Sequence, residues 1–352
     1  YKTAVASTIR FKIGSESKRN LFKMTMPGRF VLQQFMRRAV KEGCTHLVLE
    51  MTSEGVKQFR HKNIALDALI VTNLTPEHIE SHGSFENYKL AKMKIRDALV
   101  HSPKKEKVLI TNKDDEHGAD FANADVLNKY AVTLANITDE TNYPRISFTY
   151  NQTTFTSPLQ GTFNIYNILF ALTLGEHLEI SHEAMQETLK AFDTIPGRVE
   201  YVNGGKSFKV IVYFSHTVAS LEKLFLTFDG MHRVCVLGNT GGGRDTWKRP
   251  EMGNVADTYC DTVILTNEDP YDEDPEKIVN EMAAGMNTPP TIIMDRRKAI
   301  RHAFECAKEN SIVLITGKGT DPFISGPNGK KITWDDASVA REILEEYIRE
   351  RS

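Results

Sequence analysis

Residues 241–250 read Gly-Gly-Gly-Arg-Asp-Thr-Trp-Lys-Arg-Pro and directly follow an apolar run, Val234-Cys235-Val236-Leu237. Glycines let backbone approach a ligand closely, and Arg244, Lys248 and Arg249 supply fixed positive charge. Two more polar loops follow apolar runs. Thr266-Asn267-Glu268-Asp269-Pro270-Tyr271 follows Val263-Ile264-Leu265, and Gly317-Lys318-Gly319-Thr320-Asp321 follows Ile312-Val313-Leu314-Ile315. If the runs are parallel strands, the loops share the carboxyl edge of one sheet, where ligands bind in α/β folds. The expected ligand is anionic and carries an amine.

A second group lies earlier. Glu50 ends an apolar run, His78 follows another within Thr-Asn-Leu-Thr-Pro-Glu-His, and Lys92 lies on a helical pattern. A carboxylate, an imidazole and further oxygen donors at one sheet edge can hold a divalent metal. Spacing alone leaves solvated or structurally paired residues as the more ordinary reading. Asn164 and Asn167 stand near the start of a helix, where asparagines cap or bridge loops more often than they read a base. Arg198, after Pro196-Gly197, is a phosphate ligand or an exposed hinge charge. His216 lines a nucleotide or caps the next helix. The run from Gly238 to Gly243 is not a GxGxxG fingerprint, and Lys248-Arg249-Pro250 is expected to delay the helix start. A cationic loop of that length suits a carboxylate or phosphate better than a dinucleotide.

The elements that must position these residues alternate. Short apolar runs at 45–51, 68–72 and 108–111 are separated by helical patterns at 29–42 and 86–99, which predicts parallel βα units. Residues 130–163 read as short alternating strands without helices, hence an antiparallel edge. Helices are expected over 164–177, 181–192 (Ser181 as N-cap) and 218–226, and after Asp274-Pro275, Asp295, and Asp335 or Asp336. Ile195-Pro196-Gly197-Arg198 punctuates the chain. The expected organisation is an α/β domain over 1–196 and a Rossmann-like α/β domain over 197–352.

The 352 residues carry 44 basic and 46 acidic side chains, a net charge of −2, which argues against a bulk nucleic-acid binder. No apolar run approaches the roughly 20 residues of a bilayer span, so no membrane insertion is expected. Cys44, Cys235, Cys260 and Cys306 are far apart; Cys235 and Cys306 read as small buried thiols, in keeping with a reducing cytoplasm. A monomer is expected. The chain begins at Tyr1 and enters a strand without a preceding element, so a cut piece of a longer protein is expected.

Together these segments resemble the Mur ligase family, and within it the tripeptide-forming type. The resemblance runs along essentially the whole chain. It is carried by Leu-Glu-Met-Thr-Ser at 49–53, the segment 72–78, Glu-Asn-Tyr-Lys-Leu-Ala-Lys at 86–92, Phe-Asn-Ile-Tyr-Asn at 163–167, Pro-Gly-Arg-Val-Glu at 196–200, the glycine-rich Arg-Asp loop and Gly-Lys-Gly at 317–319. The resemblance implies an ATP-dependent acid–amine ligase of peptidoglycan synthesis, working through an acyl phosphate with Mg2+. It implies Glu50 and His78 as magnesium ligands and Lys92 as a carbamylated lysine that adds an oxygen donor. By the same matching, Asn164, Asn167, Arg198 and His216 face ATP. Thr25, Thr52, Gln58 and Arg60 hold the UDP-N-acetylmuramoyl-peptide. Arg244, Glu268, Asp269, Pro270, Tyr271, Gly317 and Asp321 form the pocket for a free amino acid.

Departures from the family pattern qualify this. The phosphate-binding Gly-Lys-Thr/Ser loop and the uridine-binding domain would lie upstream of the strand at 3–7, so these residues alone are expected to be inactive. Tyr213 stands where the family has Asp, and Tyr271 where the diaminopimelate type has Arg. Gly-Lys-Gly-His-Glu is here Gly-Lys-Gly-Thr-Asp, and the family's Thr-Thr-Pro-Asp is Thr25-Met26-Pro27-Gly28, so meso-diaminopimelate is not assigned. The alternatives are a folylpolyglutamate or cyanophycin synthetase-like ligase and a non-catalytic binding or regulatory protein. Glu50, His78, Lys92 and Arg198 occurring together oppose the last.

Overall fold

The computed structural model describes the chain except Lys23, residues 203–206, Thr320 and Ser352. It packs as two compact units, Tyr1–Thr133 and Leu134–Ser352.

The first unit runs β1 (Thr3–Ala6), β2 (Arg10–Ile13), β3 (Glu16–Arg19), α1 (Arg29–Lys41), β4 (His46–Leu49), α2 (Ser53–Lys57), β5 (Ala68–Val71), α3 (Ile79–His82), α4 (Phe85–Val100), β6 (Val108–Asn112), α5 (Gly118–Ala122) and β7 (Asn128–Val132). Among the described residues it contains two sheets. In the order β3-β2-β1-β4, the β1–β4 pair is parallel and β2–β3 adds an antiparallel hairpin. In the order β5-β6-β7 all pairs are parallel. Helix α4 forms because Tyr88, Ala91, Ile95 and Leu99 recur at helical spacing and bury one stripe, while Ser84 caps its start by accepting from the Asn87 amide. One expectation changes here, and one element is new. The Tyr130 strand belongs to the parallel sheet, because the extended run 128–132 pairs with β6 along its whole length. The β2–β3 hairpin is unannounced in the sequence: β3 is exposed throughout and lacks apolar alternation.

The second unit opens with β8 (Ile137–Thr141), β9 (Ile146–Tyr150) and β10 (Thr153–Ser157), an antiparallel meander as expected, followed by α6 (Thr162–His177) and α7 (His182–Lys190). Then come β11 (Glu200–Val202), β12 (Lys209–Tyr213), α8 (Val218–Thr227), β13 (Arg233–Leu237), α9 (Lys248–Tyr259), β14 (Thr262–Leu265), α10 (Pro275–Ala283), β15 (Thr291–Ile292), α11 (Arg296–Cys306), β16 (Ile312–Thr316), β17 (Phe323–Ser325), β18 (Lys331–Thr333) and α12 (Asp336–Arg349). The main sheet has the order β11-β12-β16-β13-β14-β15 and is parallel except at β11.

Burial on both faces explains why its strands are continuous apolar runs. In β16, Val313 and Ile315 point to one core with Phe304, Ile343 and Leu344, while Ile312 and Leu314 point to the other with Leu221, Phe225, Met252 and Met282. Each such side chain contributes about 1.5–3 kcal/mol by leaving water. The expected caps Ser181, Asp274 and Asp295 each accept a backbone amide. Of the two aspartates before α12, Asp335 caps and Asp336 turns inward.

Two further expectations are corrected. Helix α9 begins at Lys248, so Lys248, Arg249 and Pro250 form its first turn and do not delay it. Proline fits a first turn because its missing amide proton has no partner to lose there. Cys235 is buried as expected, yet it is no free thiol: it forms a disulfide with Cys260, with the Cα atoms 6.3 Å apart. Strand β13 and the end of α9 meet there, which sequence separation conceals. Cys306 is a free cysteine. Among the described residues no helix is long and apolar enough to cross a membrane.

Candidate functional site

In the first unit, the loops after β1, β4, β5 and β6 supply polar and charged residues, and α4 supplies Lys92. Glu50 leaves β4, and its carboxylate accepts the Thr8 amide at 2.7 Å and the Thr8 hydroxyl at 2.9 Å. The Thr8 and Thr25 hydroxyls lie 2.7 Å apart. Thr25, matched to the acceptor, is thus one side chain away from Glu50. His78 occupies the left-handed region, φ 55°, at the entry to α3. A histidine held there costs conformational energy, which is where functional side chains are often found. Its ring centroid is 6.1 Å from that of Tyr88, and the Lys92 ammonium lies 5.3 Å from the same Tyr88 centroid. Loss of solvent holds the Lys92 ammonium below the ordinary lysine range, opposed by the fields of Glu77, Asp115 and Glu50. So Glu50 and Lys92 share one electrostatic neighbourhood. No group of three or more His, Cys, Asp or Glu close enough to hold a metal ion occurs among the described residues.

Other acceptor-matched residues gather beside this group. Thr52 caps α2 by accepting the Gly55 amide at 3.1 Å. The Arg60 guanidinium donates to the Met26 carbonyl and to the Gln58 side chain. Sequence reasoning missed Thr8, Glu77 and Asp115. Asp115 accepts the Leu74 and His117 amides at 3.2 and 3.1 Å, tying the loop after β6 to the loop that carries His78. The signal available was position: each follows or closely trails a strand of a parallel pair.

In the second unit, Asn164 is buried and bonds the Gln160 carbonyl at 2.8 Å, a structural bridge at the start of α6. Exposed Asn167 donates to Asn164 at 3.0 Å. Arg198 stacks 5.0 Å from the Phe214 ring centroid and donates to the Phe214 carbonyl. His216 meets the Phe214 ring edge-on, centroids 4.9 Å apart. Arg198, Phe214 and His216 therefore form one cluster at the end of β12. Tyr213 is buried in the core beside Phe163, and burial pushes its phenol up. Its ring also lies 6.0 Å from the Arg198 guanidinium.

The three loops of the main sheet meet as expected. The Gly241 amide donates to the Asp269 carbonyl at 2.8 Å, and Thr240 donates to Glu268 at 2.7 Å. Lys318 bridges Asp269 and Asp321, at 2.6 and 2.9 Å. Asp336 accepts the Gly319 amide at 3.0 Å and both Nε and Nη2 of Arg296, at 2.8 and 2.7 Å. Thr320 lies outside the described residues. Glu268 is buried, and one of its oxygens has no hydrogen-bond partner among the described residues. Burial pushes its carboxyl up, against the pull of Arg296, Lys318 and Thr240. A Cβ at Gly317 would fall 2.3 Å from that oxygen, so glycine is required there. Tyr271, φ 53°, packs its ring over Gly242.

The cationic loop is not what its sequence suggests. Arg249 is 1% exposed and bonds Glu273 at 2.8 Å and Glu281 at 2.6 Å. Lys248 is buried as well. Charges neutralised in this way serve packing. Arg244 alone of the three cations is exposed, and it makes no ion pair among the described residues.

Two α/β units carry polar residues at the carboxyl ends of parallel strands, the edge where α/β proteins bind ligands. The profile of the Mur ligase middle domain matches residues 1–175, and that of the Mur ligase glutamate ligase domain matches residues 197–319. The UDP-N-acetylmuramoyl-L-alanyl-D-glutamate–2,6-diaminopimelate ligase of Bacillus cereus is 33% identical over 366 residues, covering 98% of this chain and 72% of that protein. A solved structure of a ligase of that same name is 27% identical with a TM-score of 0.60, covering 98% of this chain and 73% of the other. MurF from Acinetobacter baumannii, at 13% identity, shares the fold with a TM-score of 0.70 over 97% of this chain and 70% of its own. The chain belongs to the Mur ligase family.

Proposed function

We propose that the protein is an ATP-dependent ligase that joins a free amino acid to a UDP-N-acetylmuramoyl-peptide in peptidoglycan precursor synthesis. The observation that carries this reading is the presence of two polar sites on one chain, one in each unit. One gathers Glu50, Lys92, Glu77 and Asp115, and the other joins three loops, one of which exposes Arg244.

The γ-phosphoryl group of ATP passes to a carboxylate oxygen of the acceptor peptide, giving an acyl phosphate and ADP. The amine of the incoming amino acid attacks the acyl carbon. The C–O bond to phosphate breaks, phosphate leaves, and the amine gives up a proton as the amide forms. Such chemistry depends mainly on positioning and charge neutralisation. Thr25, Thr52, Gln58 and Arg60 hold the acceptor. Asn167, Arg198 and His216 take the nucleotide, with Asn164 bracing Asn167. Arg244 takes the carboxylate of the amino acid, and Glu268, Asp269, Pro270, Tyr271, Gly317 and Asp321 shape its pocket. Tyr271 offers no guanidinium fork to a second carboxylate.

Mg2+ fits the donors present. It favours oxygen ligands and is commonly held by one or two carboxylates together with substrate phosphates. Glu50 and His78 would hold it, with Lys92 as a carbamate; the partly buried amine among carboxylates is the supporting observation. Bound there, the ion would neutralise charge on the transferring phosphoryl group. We further assign residues 1–196 and 197–352 as the middle and C-terminal domains, a monomeric state and a cytoplasmic location.

ADP release by the intact protein tests the reading. It should require ATP, a UDP-N-acetylmuramoyl-dipeptide and an amino acid together. Release indifferent to the acceptor would refute it.

A further inference from the structure

Two amides of the glycine-rich loop are held by the loop after β14. The Gly241 amide meets the Asp269 carbonyl at 2.8 Å, and the Gly243 amide meets the Glu273 carboxylate at 3.1 Å. Gly242 and Gly243 both sit at φ 72°, a region only glycine enters freely, and Gly242 is covered by the Tyr271 ring. The second oxygen of Glu273 accepts from Arg249 at 2.8 Å. Arg249 is itself fixed, 1% exposed and tied to Glu281 at 2.6 Å. A buried cation so paired cannot shift without leaving a charge uncompensated.

We infer that Glu273 is a positioning residue: it clamps the Gly243 amide against buried Arg249, so that Arg244 leaves the loop from a fixed base. The inference rests on the reading of Arg244 as the contact for the amino acid's carboxylate. Glu281 shares Arg249 and, among the described residues, makes no hydrogen bond or ion pair to the loop, which makes it the internal control.

The test uses the intact enzyme and two variants, Glu273→Ala and Glu281→Gln. For Glu273→Ala the KM for the amino acid should rise about tenfold or more, since misplacement of a binding group by about an ångström costs up to about a hundredfold. The KM for ATP and for the acceptor should hold. Glu273→Gln keeps an oxygen for the Gly243 amide and should recover part of the loss. Glu281→Gln should leave the amino-acid KM unchanged. Equal changes in all three KM values, or none, would overturn the inference. Should Glu273→Ala not fold, hydrogen exchange at the Gly243 amide of the wild type decides: protection supports the clamp and free exchange overturns it. A wild type that does not ligate would refute the ligase reading alone, because the exchange measurement still reads the clamp.

Discussion

Thr8 gives Glu50 both its backbone amide and its hydroxyl, at 2.7 and 2.9 Å, so one residue of the loop after β1 orients the carboxylate at the end of β4. Its hydroxyl also lies 2.7 Å from that of Thr25. Outer partners of this kind typically change metal affinity or activity by about 10–100-fold when removed. Thr8→Val should therefore raise the Mg2+ concentration needed for half-maximal ligation by about tenfold, with little change in thermal stability. A magnesium titration of wild type and variant gives the answer, and coincident curves would argue that the contact is structural.

Lys92 is proposed to act as a carbamate, so its removal should be repairable from outside. Lys92→Ala should cripple ligation, and short carboxylic acids should restore part of it by supplying the missing oxygens. Near-normal turnover without added acid would remove the assigned role.

Glu268 makes a pH-dependent prediction. Its folded pKa is raised by burial above the unfolded value of about 4.3. The folded state thus binds more protons than the unfolded one above that pH, and the charged carboxylate costs stability as pH rises through the folded pKa. Glu268→Gln should unfold at higher temperature than wild type at pH 7–8, and the gap should close toward about pH 4. Thermal melts across that range test this; a gap that does not vary with pH would show that Glu268 is not titrating as described.

The Cys235–Cys260 disulfide closes a sequence separation of 25 residues. Chain-entropy arguments put the stabilisation at about 3.5 kcal/mol for a loop of that size. Reductant should lower unfolding stability by about that amount. Cys260→Ser should do the same and abolish the effect of reductant. Equal stability of oxidised and reduced protein would mean that the bond adds nothing.

Much of the second unit is legible in sequence because its strands are buried on both faces. Runs such as Ile312–Thr316 are apolar without alternation, and the loops after them stand out as polar. Helix caps are legible for a similar reason: Asp274, Asp295 and Ser181 act within four residues of their own position. What sequence hides is partnership at a distance. Arg249 looks like a ligand-binding cation until Glu273 and Glu281 are placed beside it. Cys260 looks unrelated to Cys235, and Tyr213 looks like a damaged ligand until Phe163 is packed against it. Glu50, His78 and Lys92 are identifiable through family motifs, whereas Thr8 and Asp115, which orient and surround them, carry no motif of their own.

The central claim is that an acceptor carboxylate is activated by phosphorylation before the amide forms. Its most direct test labels both oxygens of that carboxylate with 18O and follows the label into released phosphate during turnover by the intact enzyme. The account predicts one 18O in each phosphate, because the acyl C–O bond breaks when the amine attacks. Unlabelled phosphate would mean that ATP is hydrolysed by water, and would contradict it.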